Sequence, residues 1–223
     1  MGWLDKFFRK KTDAGKAVVA ISKSATYHPT NDLSDYSLHD EARDYIRRDY
    51  LGGFYSDAEV IENARDIMLD EMDETELDRV LPVLLAEVKA EHFAAQKDWP
   101  EKTDCDRLDE TFAALEAGGI IARQNFTCCG TCGSAEIWDE MDEVRKNGGP
   151  VRGYAFFHMQ DAEAAVDGQG LHLSYGATEE GETAALMIAK EIVAQFESHG
   201  LKTDWNGRWE QRIGVELDWK KRR

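Results

Sequence analysis

From Leu38 to Gly118 the apolar residues repeat with the helical period, and from Ile120 onward short strand-like runs alternate with helical ones, so the pair Gly118-Gly119 divides two kinds of patterning. A helical repeat buries one stripe and a period-two repeat buries one face of a sheet, and neither pattern settles into the other's geometry. The chain is therefore restricted to an α+β architecture in which a helical block precedes a mixed one.

Within the helical block, Leu38, Ala42, Tyr45, Ile46 and Tyr50 share a face before Gly52-Gly53 ends the pattern. A second helix is expected behind the capping box Ser56/Glu59, with Val60, Ile61, Ala64, Ile67 and Met68 as its apolar set. A third carries Leu77, Val80, Leu81, Leu84, Leu85, Val88 and Phe93, with Pro82 placed to be tolerated or to mark its start. Trp99-Pro100 then interrupts the chain, Thr103 is a natural cap, and Leu108, Phe112 and Leu115 form the buried stripe of a helix whose first turn holds Cys105. The carboxylates of this block read as a solvated outer face. No Glu-x-x-His pairing of the kind used by carboxylate-bridged metal bundles occurs in it.

After Gly119, "IIARQNF", "GYAFFHM" and "LHLSYGA" read as strands. "SAEIWDEMDEVRKNGG" and "ETAALMIAKEIVAQFESHG" read as helices, the first with Ile137, Trp138, Met141 and Val144 inward. "LKTDWNG" and "RIGVELDW" add one or two strands across an Asn206-Gly207 turn. The order β-α-β-β-α-β predicts a ferredoxin-like sandwich with an extra terminal strand or hairpin. The expected organisation is a basic N-terminus and lead-in over residues 1–36, an acidic helical subdomain over 37–100 and an α+β domain over 101–223.

Of the 223 residues, 42 % are hydrophobic, enough for a sizeable core, and no apolar run reaches the eighteen residues a membrane span needs. With no apolar signal-peptide centre either, the cytoplasm is the expected compartment, where a thiol cluster is reduced, metal-bound or redox-active rather than a disulfide framework. The net charge of −17 is uneven: residues 1–30 carry six Lys/Arg against two Asp/Glu, 31–118 nine against twenty-five, and 119–223 twelve against seventeen. An acidic surface repels phosphate backbones, which argues against direct nucleic-acid binding and for a basic protein partner. The first eleven residues group Trp3, Leu4, Phe7 and Phe8 at helical spacing beside Lys6, Arg9, Lys10 and Lys11, a pattern suited either to an anionic membrane surface or to docking on the protein itself. Lys6 stands where a myristoylation signal needs Ser or Thr.

No glycine-rich phosphate loop, G-x-S-x-G elbow, H-E-x-x-H or dinucleotide fingerprint is present. His158 and His172, each in an expected strand, are the candidate acid-base groups, with Ser174 and Tyr175 nearby but no triad. The densest chemistry is "QNFTCCGTCG", which holds Cys128, Cys129 and Cys132. Consecutive residues of a strand point to opposite faces, so at most two of the three thiols are expected to converge, Cys132 folding back beside one of the others. Three readings stay open: buried reduced cysteines, a zinc site on Cys129 and Cys132 completed by Cys105 or His158, and redox work by the Cys129/Cys132 pair. For the last, a helix starting near Ser134 would stabilise a thiolate, while Glu136, Asp139, Glu140, Asp142 and Glu143 oppose it.

The segment "WPEKTDCDRLDETFAALEAGGIIARQNFTCCGTCGSAEI", together with "GYAFFHMQD", "LHLSYGA" and "RIGVELDW", resembles an uncharacterised family of bacterial proteins known as a domain of unknown function. That resemblance spans residues 38–220 and implies no activity. The strand order with "DWNG" is also similar, at the level of fold, to the acidic, non-enzymatic regulator-B type inhibitors of ribonuclease E, and no residue role follows from it. The expected function is a non-enzymatic binding or regulatory protein, of inhibitor or immunity type, acting on a protein partner, with a zinc-binding or thiol-redox role for the cysteine cluster as the alternative.

Overall fold

The structure is a computed structural model and describes residues 37–223. The basic amphipathic segment and the lead-in expected over residues 1–36 lie outside the described residues.

Three helices form the first layer: α1 (Leu38–Gly52), α2 (Asp57–Met68) and α3 (Glu74–Ala95). Ser37 and Ser56 each close a capping box, with Asp40 and Glu59 respectively, and Asp73 caps α3 through the N–H groups of Thr75 and Glu76. Gly53, at φ 81°, supplies the left-handed turn that stops α1. The apolar stripes meet in one cluster of Ala42, Ile46, Tyr50, Val60, Ala64, Met68, Met72, Leu77, Leu81, Leu85 and Val88. Pro82 lies well inside α3 rather than at its start. Ile67 and Phe93, expected inward, are exposed, because the three-helix contact uses a narrower stripe than the sequence pattern offers.

A short 3-10 turn (Gln96–Asp98) leads to α4 (Asp104–Ala117), capped by Thr103 with Asp106 at the third position. Then follow β1 (Ile120–Arg123), α5 (Gly130–Lys146), β2 (Gly153–Phe156), α6 (Met159–Val166), β3 (Leu171–Ala177), α7 (Glu182–Ser198), β4 (Lys202–Asp204) and β5 (Ile213–Glu216). The five strands are ordered β1-β2-β3-β5-β4, with β1 and β2 parallel and every other pair antiparallel. The fold is α+β as expected, but the ferredoxin-like order is not what the strands adopt. In that order the first strand is central, whereas here β1 is an edge strand and α6 separates β2 from β3. The unexpected helix comes from "MQDAEAAV", whose Ala162 and Ala165 pack against the main core, too short a pattern to stand out. The last hairpin is also wider than expected: Asp204 pairs with Gly214, so the Asn206-Gly207 turn sits inside a longer loop.

Alternation on the strands sends side chains to two layers. Ile120, Ala122, Ala155, Leu171, Leu173, Ile213 and Val215 face α4, α6 and α7 in the main core, while Ile121 and Phe156 face Ile137 and Met141 of α5 on the other side. The outer edge of β1 is covered by a side chain: Ala122 N–H donates to Glu116 Oε1 at 2.7 Å. Trp138, expected inward, is half exposed and meets Tyr154 edge-on at the margin of this smaller core.

The helical layer and the sheet are joined by the last residues. Trp219 Nε1 donates to Leu51 O at 3.0 Å, Arg223 stacks 4.2 Å over the Tyr50 ring and donates to Tyr50 O and Tyr55 O, and Lys221 pairs with Asp109 at 2.8 Å. Arg48 Nε reaches Asp167 Oδ2 at 3.0 Å from the other side, beside Arg47 on the same carboxylate. No helix among the described residues is long and apolar enough to cross a membrane.

Candidate functional site

The chain leaves β1 through a turn whose backbone is strained. Asn125 (φ 50°) and Thr127 (φ 60°) are both left-handed, and for a β-branched residue such as Thr127 that conformation costs on the order of 1–3 kcal/mol. The turn is held there by its neighbours. Phe126 N–H donates to Phe157 O at 2.8 Å, Met159 N–H to Thr127 O at 3.1 Å and Thr127 Oγ1 to Cys129 O at 3.2 Å. The strain is thus imposed by the segment that joins β2 to α6.

Its effect is to place Cys129 at the N-cap of α5, four residues earlier than the sequence pattern indicates, because Gly130 and Gly133 read as turn residues but lie in the first helical turn. Gly133 has a packing reason to be there: a Cβ at this position would stand 2.5 Å from Phe156 Cε2, a ring with no freedom to move since Phe156 is fully buried. Gly133→Ala is expected to destabilise the fold by about 1–2 kcal/mol, the overpacking cost less the helix-propensity gain. Gly130→Ala, whose Cβ would lie 3.5 Å from His158 Nε2 in ordinary contact, should stay within about 0.5 kcal/mol of the native chain. Urea midpoints at constant slope measure both.

Cys128 immediately precedes the N-cap and Cys132 lies in the first turn of α5, and their sulfurs are 3.5 Å from each other. The sulfurs of Cys128, Cys129 and Cys132 all lie within 4.8 Å of one another. The expectation that only two thiols converge is therefore corrected: the residues around Cys128 form a tight turn and helix start, not an extended strand, so the alternation rule does not apply. The N–H of Cys132, the Cys132 thiol, the N–H of Thr131 and the Cys128 thiol all act on the Cys129 sulfur and hold its pKa below the ordinary thiol value. Cys132 is pushed up to about 11, chiefly by the Cys128 and Cys129 thiols beside it. Cys128 is exposed and the other two are half-buried, so the trio opens to solvent.

The two other expected ligands are placed elsewhere. Cys105 is buried under the C-terminal segment, and burial pushes its thiol up to about 12, which makes it an inert packing residue. His158 is not in a strand but is the N-cap of α6: its Nδ1 accepts from Asp161 N–H at 3.3 Å while its own N–H donates to Asp161 Oδ2 at 3.2 Å. Burial lowers its pKa, and its Nε2 lies 3.1 Å from Asp161 Oδ2. The ligand atoms that lie within 4.8 Å of one another are the three sulfurs, and His158, which stands against Gly130, borders that group without belonging to it.

The acid-base pair expected from a β2–β3 hairpin does not assemble. The register pairs Phe156 with Ser174, which would set His158 opposite His172 if β2 continued, but the chain turns into α6 first and His172 stays exposed. Tyr175 Oη is engaged by the carbonyls of Arg208, Trp209 and Gln211 at 3.2, 3.4 and 3.2 Å, a role in holding the β4–β5 loop. Sequence reasoning missed Cys128 as a member of the trio. Spacing gave no signal for it, because Cys128 lies just outside α5 and is brought to Cys132 by the turn at left-handed Thr127.

Comparison with curated proteins and with solved structures found no significant match. A family defined at the level of sequence does match, over residues 35–223, a span that contains the strained turn and all three clustered cysteines. The chain belongs to the family described as Domain of unknown function (DUF6891).

Proposed function

We propose that this domain is a binding protein that holds one zinc ion on the thiolates of Cys128, Cys129 and Cys132, with the fourth position filled from outside the trio. The observation that carries this reading is the mutual approach of the three sulfurs within 4.8 Å, with 3.5 Å between Cys128 and Cys132. Zn–S bonds of about 2.3 Å in a tetrahedron set sulfurs about 3.8 Å apart, so the trio needs only small side-chain adjustments to bind. Cys129, its pKa already lowered, is the first thiolate, and the exposed Cys128 side is where a fourth ligand, water or a side chain of another protein, can enter. Thiols must lose protons to bind, so affinity falls as pH falls, with Cys132 the most reluctant.

A cationic protein partner is a second reading, supported by the charge of residues 37–100, which carry seventeen Asp/Glu against seven Lys/Arg, and by the exposed Ile67, Leu69, Val83 and Phe93 of the helical layer. A cytoplasmic setting, which keeps thiols reduced, belongs to the same reading. Pull-down from native lysate at low and high salt tests for such a partner.

Elemental analysis of protein purified without chelator or affinity metal tests the metal. One zinc per chain is expected, with Cys128, Cys129 and Cys132 protected from thiol reagents until a chelator is added and Cys105 reacting only on unfolding. Absence of stoichiometric metal, with those three thiols reacting freely, would refute the reading.

A further inference from the structure

We propose that in its metal-free state the Cys129/Cys132 pair performs thiol–disulfide exchange on disulfides of neutral or positive charge. The proposal goes beyond metal binding and uses two of the same sulfurs when no ion occupies them. Its first support is the division of labour built into the turn. Cys129 stands at the N-cap of α5, and Cys132 follows one helical turn later with its sulfur within 4.8 Å of the Cys129 sulfur. Backbone donors at a helix start favour a thiolate at the first cysteine and leave the second as the thiol that follows.

The chemistry balances with a disulfide as the only co-reactant. The Cys129 thiolate attacks one sulfur of the substrate, forming a mixed disulfide and expelling the other half as a thiolate, which takes up a proton. Cys132 then loses its proton and attacks the Cys129 sulfur, closing the Cys129–Cys132 bond and expelling the second half. The two cysteines lose two electrons and two protons, and the substrate disulfide becomes two thiols.

The second support concerns which substrate can approach. Glu136, Asp139 and Glu143 continue the helical stripe of Cys132 along α5, all three are exposed, and none makes an ion pair among the described residues. A substrate reaching the open side of the trio therefore meets unneutralised negative charge. That field slows an anionic disulfide and speeds a cationic one, and salt removes the difference.

The test uses the full reduced chain in excess chelator, so that its outcome does not depend on the metal reading. Cystamine and oxidised glutathione are the two probes, and products are located by peptide mass. The native chain is expected to end with a Cys129–Cys132 disulfide, and Cys132→Ser to accumulate one mixed disulfide on Cys129. Cystamine should react on the order of tenfold faster than oxidised glutathione at low salt, with the ratio collapsing at high salt. A final Cys128–Cys132 disulfide, or adducts on Cys128 alone, would overturn the assignment of nucleophile and resolving thiol. Equal rates for the two probes at low salt would overturn the charge preference.

Discussion

Phe157→Ala is expected to lower the stability of the fold by about 3–5 kcal/mol, the range for truncating a fully buried aromatic ring. Phe157 has no exposed surface and stands edge-on to three rings from three separate parts of the chain: Phe54 after α1 at 6.0 Å, Phe112 of α4 at 5.6 Å and Trp219 of the C-terminal segment at 6.3 Å. Its backbone also carries the hydrogen bonds that hold the thiol turn, to Phe126 N–H at 2.8 Å and Arg123 O at 3.2 Å. A cavity here therefore weakens the junction of the helical layer with the sheet and loosens the turn that positions the cysteines. Urea denaturation should show a lower midpoint with an unchanged slope. A loss under about 1 kcal/mol would mean that the ring is not the keystone of this junction.

Asp161→Ala is expected to cost about 2–4 kcal/mol by a different mechanism, the loss of charge-assisted hydrogen bonds and of a helix cap. The Asp161 carboxylate is buried, receives Arg212 through two bonds of 2.9 and 2.6 Å, and closes the capping box with the His158 N–H. Arg212 also donates to His172 O, so one carboxylate ties α6, β3 and the start of β5 together. Removing it leaves a half-buried guanidinium without its counter-ion and α6 without its cap. The double variant Asp161→Ala/Arg212→Met should recover part of the loss, because the uncompensated charge is gone. If it proves no more stable than Asp161→Ala alone, the cost comes from the cap rather than from the buried pair.

Much of the architecture is legible in the residues. Capping boxes at Ser56/Glu59 and the cap at Thr103, the stop at Gly118-Gly119 and the stripe Leu108, Phe112, Leu115 each combine a local hydrogen-bonding rule with a helical period, and the structure has all of them. The order of strands was not legible. It depends on α6, only two turns long, and on whether β2 runs on to meet His172 or leaves the sheet at Phe156. Local pattern is silent on that choice, which the aromatic junction around Phe157 and the His158 cap settle. The site was legible in composition and not in geometry. Cysteine spacing marked the cluster, but the convergence of the third thiol rests on left-handed Thr127 and on a helix that begins at Gly130. Both are fixed by distant residues, Phe156 behind Gly133 and Met159 against Thr127.

Titration of the metal-free chain with cobalt(II), followed by the thiolate-to-metal charge-transfer absorption, tests most directly whether the three sulfurs form one metal site. The expected result is saturation at one equivalent, loss of most of the band in each of Cys128→Ser, Cys129→Ser and Cys132→Ser, and a native titration for Cys105→Ser. Zinc should displace the cobalt completely. No charge-transfer band in the native chain, or a band that survives Cys128→Ser and disappears in Cys105→Ser, would contradict the account.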